Sequence, residues 1–141
     1  MESAFLAGRV IVGSYYLYSA VNHFVKLDSM AGYAASKGVP LAPLAIVASG
    51  LLLAIAGLTL VLGWRPKLGV AALVLFFVPV TFIMHAFWKE TDAMARMNQM
   101  IHFTKNLGLL GSSLMFLAIP EPWPLSVAQR IRRRHQAPAP A

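Results

Sequence analysis

An all-α integral membrane fold, a four-helix bundle with both termini on the cytoplasmic side (N-in/C-in), is what this sequence predicts, and three observations carry the prediction. The chain is 58% hydrophobic and only 12% charged, with a mean hydropathy of +0.66, which leaves too little polar material to wrap a soluble core of its own size. Residues 41–63 and 68–88 contain no Asp, Glu, Lys or Arg, and each is long enough to cross a hydrocarbon core of ~30 Å as a helix. Lysine and arginine are unevenly shared between the segment ends. One side receives Arg65, Lys67 and the tail residues Arg130, Arg132, Arg133 and Arg134, with Glu2 and Glu121 as its only acids; the other receives Lys26, Lys37, Lys89 and Arg96, diluted by Asp28, Glu90 and Asp92. The richer side is cytoplasmic by the positive-inside rule.

Helices are expected over about 4–25, 41–63, 67–88 and 98–119, in one transmembrane domain 1–125, followed by a basic, Pro/Ala-rich cytoplasmic tail over 126–141. The first carries Arg9, Tyr16 and His23 nearly in line on one face, with Asn22 and Lys26 beside it, so this face should look inward. A cleaved leader is the competing reading of this segment, but Glu2 stands where a basic residue belongs and Arg9 interrupts the apolar run. Arg9 itself should snorkel, or meet a phospholipid phosphate or Glu2, which makes it a possible lipid contact. The connection 26–40 is broken by Gly32, Gly38 and Pro40, with room for a turn of helix over 30–35.

In the second helix Gly50, Ala54 and Gly57 have the small-residue spacing that lets backbones approach closely. The turn Gly63-Trp64-Arg65-Pro66-Lys67 makes a tight hairpin into the third helix, which Pro79 should kink. At its end Thr81, His85 and Lys89 recur on one helical face. The apolar run 107–119 covers only ~20 Å at ~1.5 Å per residue, so a fourth span must begin near Asn98. That draws His102, Lys105 and Asn106 below the membrane surface, where polar groups cost a few kcal/mol unless they face protein or water. Gly108, Gly111, Ser112 and Ser113 should form a contact face, Trp123 should anchor at the interface, and QAPAPA should be a disordered end.

Several chemistries are excluded. There is no cysteine, hence no disulfide and no dithiol redox chemistry. The net charge of +7 is concentrated in one tail beside the last span, which points to anionic membrane lipid as partner and away from nucleic acid. His23, His85 and His102 have no carboxylate or thiolate companions inside the spans, and Lys26, Lys89 and Lys105 would repel a cation, so no metal site is expected. A Ser-His-Asp hydrolase lacks both an acid within the spans and an evident nucleophile.

The run His85-Ala86-Phe87-Trp88, the stretch to Phe103-Thr104-Lys105-Asn106, Arg9 early in the first helix and Asn22-His23-Phe24 with Lys26 at its end together resemble the DoxX family of small bacterial membrane proteins. Gly57 to Gly63 and Gly108 to Gly111 support the likeness, which extends over most of the chain. The resemblance implies a multi-pass four-helix bundle in the bacterial cytoplasmic (inner) membrane. It also implies a link to membrane redox or stress-defence assemblies, since the family is named after a subunit of a thiosulfate:quinone oxidoreductase. Many relatives carry an acidic residue in the second helix and this chain does not, so no ion pair with Arg9 is carried over.

Residues from three helices converge in the outer half: His85, Trp88, His102, Lys105 and Asn106, with Asn22 and His23. Their character is hydrogen-bond-donating, cationic and aromatic, which suits the carbonyl of a quinone-like or lipid ligand bound without a covalent link. The protein would then serve as an accessory subunit beside redox-enzyme subunits or a second copy of itself. It would not be catalytic alone, because no haem or iron–sulfur ligand set is evident. A purely structural membrane subunit and a small-molecule transporter are the alternative readings.

Overall fold

The computed structural model describes residues 1–136, and among these it is helical throughout, with α1 Glu2–Val25, α2 Leu27–Ser36, α3 Ala42–Leu62, α4 Pro66–Met84, α5 Ala93–Met115 and α6 Val127–Gln136. Short 3₁₀ turns over Phe87–Lys89 and Phe116–Ala118 close α4 and α5. Three of these helices, α1, α3 and α4 with its extension, are long and apolar enough to cross a membrane. Their outward positions are apolar: Ile11, Tyr18, Leu44, Leu51, Leu58 and Leu75 are all exposed. Such a surface is suited to lipid and not to water. The chain is a helical membrane protein.

α3 is the central element, packed against α1, α2 and α4, while α5 packs on α4. Its contact with α1 is a backbone-to-backbone approach. A Cβ built on Gly57 would sit 2.8 Å from the Gly13 carbonyl oxygen, and one on Gly13 would sit 2.9 Å from the Gly57 oxygen. The small-residue spacing of this helix is thus a packing surface, with Gly50 in the same role against Phe24 and His23. Around this seam lies the core of Tyr16, Ala20, Leu53, Ala56, Leu60, Ala72, Leu73 and Phe77, with Trp123. Gly63 ends α3 at φ 62°, and the amide of Trp64 returns to the Thr59 carbonyl at 3.1 Å, which turns the chain directly into Pro66 at the start of α4.

Several elements differ from expectation. The connection after α1 holds a whole helix, α2, because Ala31 and Ala34 are buried against Ala42 and Ile46. α4 stops at Met84, so Thr81, His85 and Lys89 do not share one helical face; Thr81 is buried, His85 half-buried and Lys89 exposed. α5 begins at Ala93, ahead of Asn98, because Asp92 caps it by accepting the Ala95 amide at 2.8 Å. On α5, Gly108, Gly111 and Ser112 face outward with open space beside both glycines, and only Ser113 turns inward, within 3.2 Å of the Tyr16 hydroxyl. The tail runs on as α6, capped by Ser126, whose hydroxyl accepts the Gln129 amide at 3.0 Å. Gln136 is the last residue of α6, and the remainder of the QAPAPA end lies outside the described residues.

The largest correction is at the end of the bundle that carries the chain's N-terminus. Trp123 is not an interfacial anchor but 0% exposed, its ring 5.1 Å from Phe5 and 5.4 Å from Phe116. Arg9 is 1% exposed, and its Nη2 donates to the Leu125 carbonyl at 2.7 Å. Arg9 therefore holds protein where a lipid phosphate or Glu2 was expected. The reason is the fold-back of 120–126 across the helix ends, which offers the guanidinium a backbone acceptor and covers it from lipid.

Candidate functional site

At the opposite end of the bundle a cavity of about 530 Å³ lies between α1, α2, α3 and α4, and α5 adds Asn106 to its wall. Its size falls within the ~300–1,000 Å³ usual for small-molecule sites. The walls are mainly apolar, with Leu52, Phe76, Pro79 and Val80 among them, and a few polar groups interrupt them: Ser19, His23, Tyr33, Ser49, His85 and Asn106. This is the pattern of a ligand site in which apolar surface supplies affinity and sparse polar atoms fix orientation.

Each polar group is positioned by a nameable local cause. His23 has Nδ1 committed to the Ser19 carbonyl one turn back, at 2.7 Å, and its ring meets the edge of Phe76 at 6.0 Å. Ser49 similarly returns its hydroxyl to Ala45 at 2.7 Å. His85 sits where α4 ends, with Nδ1 2.8 Å from Gln99 Oε1. Asn106 is buried on α5 and lines the cavity, and its carboxamide is not one of the fully enclosed side-chain groups left without a hydrogen bond. A carboxamide both donates and accepts, so on a mainly apolar lining it is suited to meet a ligand oxygen.

Of the seven residues singled out from sequence, the cavity takes His23, His85 and Asn106. His102 lies behind His85, the two rings stacked at 5.1 Å and 24°. Lys105 Nζ lies 3.2 Å from His102 Nδ1, and both residues are exposed. Trp88 is 50% exposed, and packs edge-on against Phe87 and Phe103 away from the cavity wall. Asn22 donates to the Tyr18 carbonyl at 3.1 Å and is not part of the lining. The shortening of α4 explains the loss of Trp88: once the helix stops at Met84, Phe87–Lys89 turns away as a separate 3₁₀ element.

Two ties between elements escaped sequence reasoning. Tyr33, on α2, accepts a hydrogen bond from Gln99 Nε2 at 3.0 Å, and so joins α2 to α5 over the cavity. A second tie runs alongside, where Lys37 and Glu90 form an ion pair. Hydrogen bonding to the Glu90 carboxylate raises the Lys37 ammonium above its ordinary value. The sequence signal for these ties was faint: a lone tyrosine in a small-residue stretch and a glutamine one turn before His102.

A helical membrane protein with a ligand-sized cavity at one end of its bundle is the class that fold and site define. A family model described as DoxX matches residues 4–86. The chain belongs to the DoxX family, and the match spans α1 to α4 and includes His23 and His85, whereas Asn106 lies beyond it. Comparison with curated proteins and with solved structures finds no match.

Proposed function

We propose that this protein is a four-span, N-in/C-in subunit of the bacterial cytoplasmic membrane that holds a quinone-like, carbonyl-bearing amphiphile in its outer-leaflet cavity for a partner carrying the redox centre. The observation that carries the reading is the buried Asn106 on the lining of a mainly apolar cavity that His85 also lines. Asn106 donates to the ligand oxygen, His85 makes a second polar contact, and Phe76 and Leu52 bury its apolar body. Trp88, Lys105 and His102 act from outside, since they are not part of the lining.

The four-span topology is supported by the length of α5, 23 residues or ~35 Å, and by the gathering of Arg65, Lys67 and α6 at one end. Cysteine accessibility scanning tests it in a chain with no native cysteine. Ser36→Cys and Thr91→Cys should label from outside intact cells, and Arg132→Cys only after permeabilisation. Labelling of all three from one side would overturn the topology.

Ligand content tests the site. Donors meeting a carbonyl in a low-dielectric cavity contribute ~1–3 kcal/mol each, so Asn106→Leu and His85→Ala should each reduce retained quinone by roughly ten- to a hundredfold. Mass spectrometry of protein taken from native membranes in mild detergent reads this directly, with melting temperature measured in parallel. A folded wild-type protein that stays empty after incubation with excess short-chain benzoquinone defeats the reading.

A further inference from the structure

Tyr33, Gln99 and His85 form an unbranched hydrogen-bonded chain drawn from three elements. Gln99 Nε2 donates to Tyr33 Oη at 3.0 Å, and Gln99 Oε1 lies 2.8 Å from His85 Nδ1. Tyr33 and His85 line the cavity, and Gln99 connects them from α5. In this direction Nδ1 of His85 carries the hydrogen and donates to Gln99. The neutral imidazole then has a bare Nε2, an acceptor. That nitrogen has no protein partner among the described residues.

Turning the Gln99 amide over preserves every link. The Tyr33 hydroxyl then donates to Oε1, Nε2 of Gln99 donates to His85 Nδ1, and the hydrogen of His85 moves to its own Nε2, which becomes a donor. The two arrangements have the same atoms and the same number of hydrogen bonds. They differ in which ring nitrogen holds one proton, and glutamine oxygen and nitrogen are interchangeable in shape. Because both keep every hydrogen bond, a ligand with a differential contact selects between them.

We propose that Gln99 and Tyr33 are positioning residues that let His85 present either a donor or an acceptor, so that the cavity takes both the carbonyl form of its amphiphile and the hydroxyl form produced by two-electron reduction. This rests on the cavity reading above and adds specificity to it. A carbonyl oxygen, which only accepts, selects the arrangement with Nε2–H; a phenolic hydroxyl, a better donor than acceptor, favours the one with bare Nε2. Asn106 is ambivalent in the same sense, since its carboxamide both donates and accepts. The His102 ring stacked on His85 keeps the imidazole plane in place in either arrangement.

Gln99→Lys separates the two arrangements, because an ammonium only donates: Nδ1 must accept, and Nε2 must carry the hydrogen. The expected result is a dissociation constant for a short-chain benzoquinone within a few-fold of wild type, while that for its hydroquinone rises roughly tenfold or more. Gln99→Leu, which leaves Nδ1 without a partner, should weaken both forms by similar factors. Imidazole ¹⁵N shifts, assigned to His85 by difference against His85→Ala, should show the Nε2–H form with quinone and the Nδ1–H form with hydroquinone in wild type, and Nε2–H alone in Gln99→Lys. Equal weakening of both forms by Gln99→Lys, or one wild-type tautomer with either ligand, would overturn the inference. A wild-type protein that binds neither form defeats the proposed function. The empty protein then decides the donor–acceptor exchange at His85 by itself: tautomer exchange in wild type with Nε2–H alone in Gln99→Lys supports the positioning role of Gln99, and one common tautomer overturns it.

Discussion

Trp123→Ala is expected to lower the stability of the folded chain by about 3–5 kcal/mol, the range for deleting a fully buried large aromatic side chain. The ring is 0% exposed, and it fills the space between Phe5 at the start of α1 and Phe116 at the end of α5. Removing it should empty that space and also loosen the segment 120–126, whose other ties include the hydrogen bond from Arg9 to Leu125 and the Lys67–Glu121 ion pair. Arg9 would then be a charge with a lost acceptor and with Nε and Nη1 already unpaired, so the two losses should not be additive. Thermal unfolding in detergent gives the stability change, and proteolysis at Arg130 reports release of the tail. Trp123→Phe, which keeps most of the apolar volume, should recover the larger part. Wild-type melting of Trp123→Ala would mean that this segment is not docked.

Gly57→Leu should disrupt the central helix pair. A Cβ there already meets the Gly13 oxygen at 2.8 Å and the Leu17 side chain at 2.6 Å, so an isobutyl group can enter only if α1 and α3 move apart. Overpacking of this kind typically costs ~1–3 kcal/mol, and more where backbone is the obstacle. The control is on α5, where Gly108 has nothing within 4 Å of its built Cβ. Gly108→Leu should be neutral or stabilising by up to ~1 kcal/mol, because glycine is a poor helix former. Melting temperatures of the two variants in the same detergent decide this. Equal losses would indicate that α5 is buried on its outward face, and equal tolerance that the α1–α3 seam is looser than its geometry implies.

How much was legible follows from the range over which each signal acts. The apolar spans were readable because a bilayer demands an uninterrupted apolar run, a property of neighbouring residues. The hairpin at Gly63 and the packing role of Gly57 were readable for the same local reason. Three of the seven candidate site residues, His23, His85 and Asn106, were brought to the cavity because helical spacing and hairpin pairing set their depth and face. Trp88 was misplaced because helical periodicity was carried past Met84, where α4 ends. Arg9 and Trp123 were misread because a Pro-Trp-Pro segment has the same composition whether it lies at an interface or folds back over a bundle end.

By itself, then, the sequence determined a helical membrane protein of the DoxX family, with its polar side chains gathered toward one end of the helices. Apolar run length, charge distribution and periodicity are properties of the chain alone. Only the tertiary structure decided that α2 roofs a cavity, that Gln99 joins His85 to Tyr33, and that Arg9 reaches Leu125. Those pairings join residues 14, 66 and 116 positions apart. A hydrogen bond depends on distance in space, which no local pattern encodes until the helices are packed.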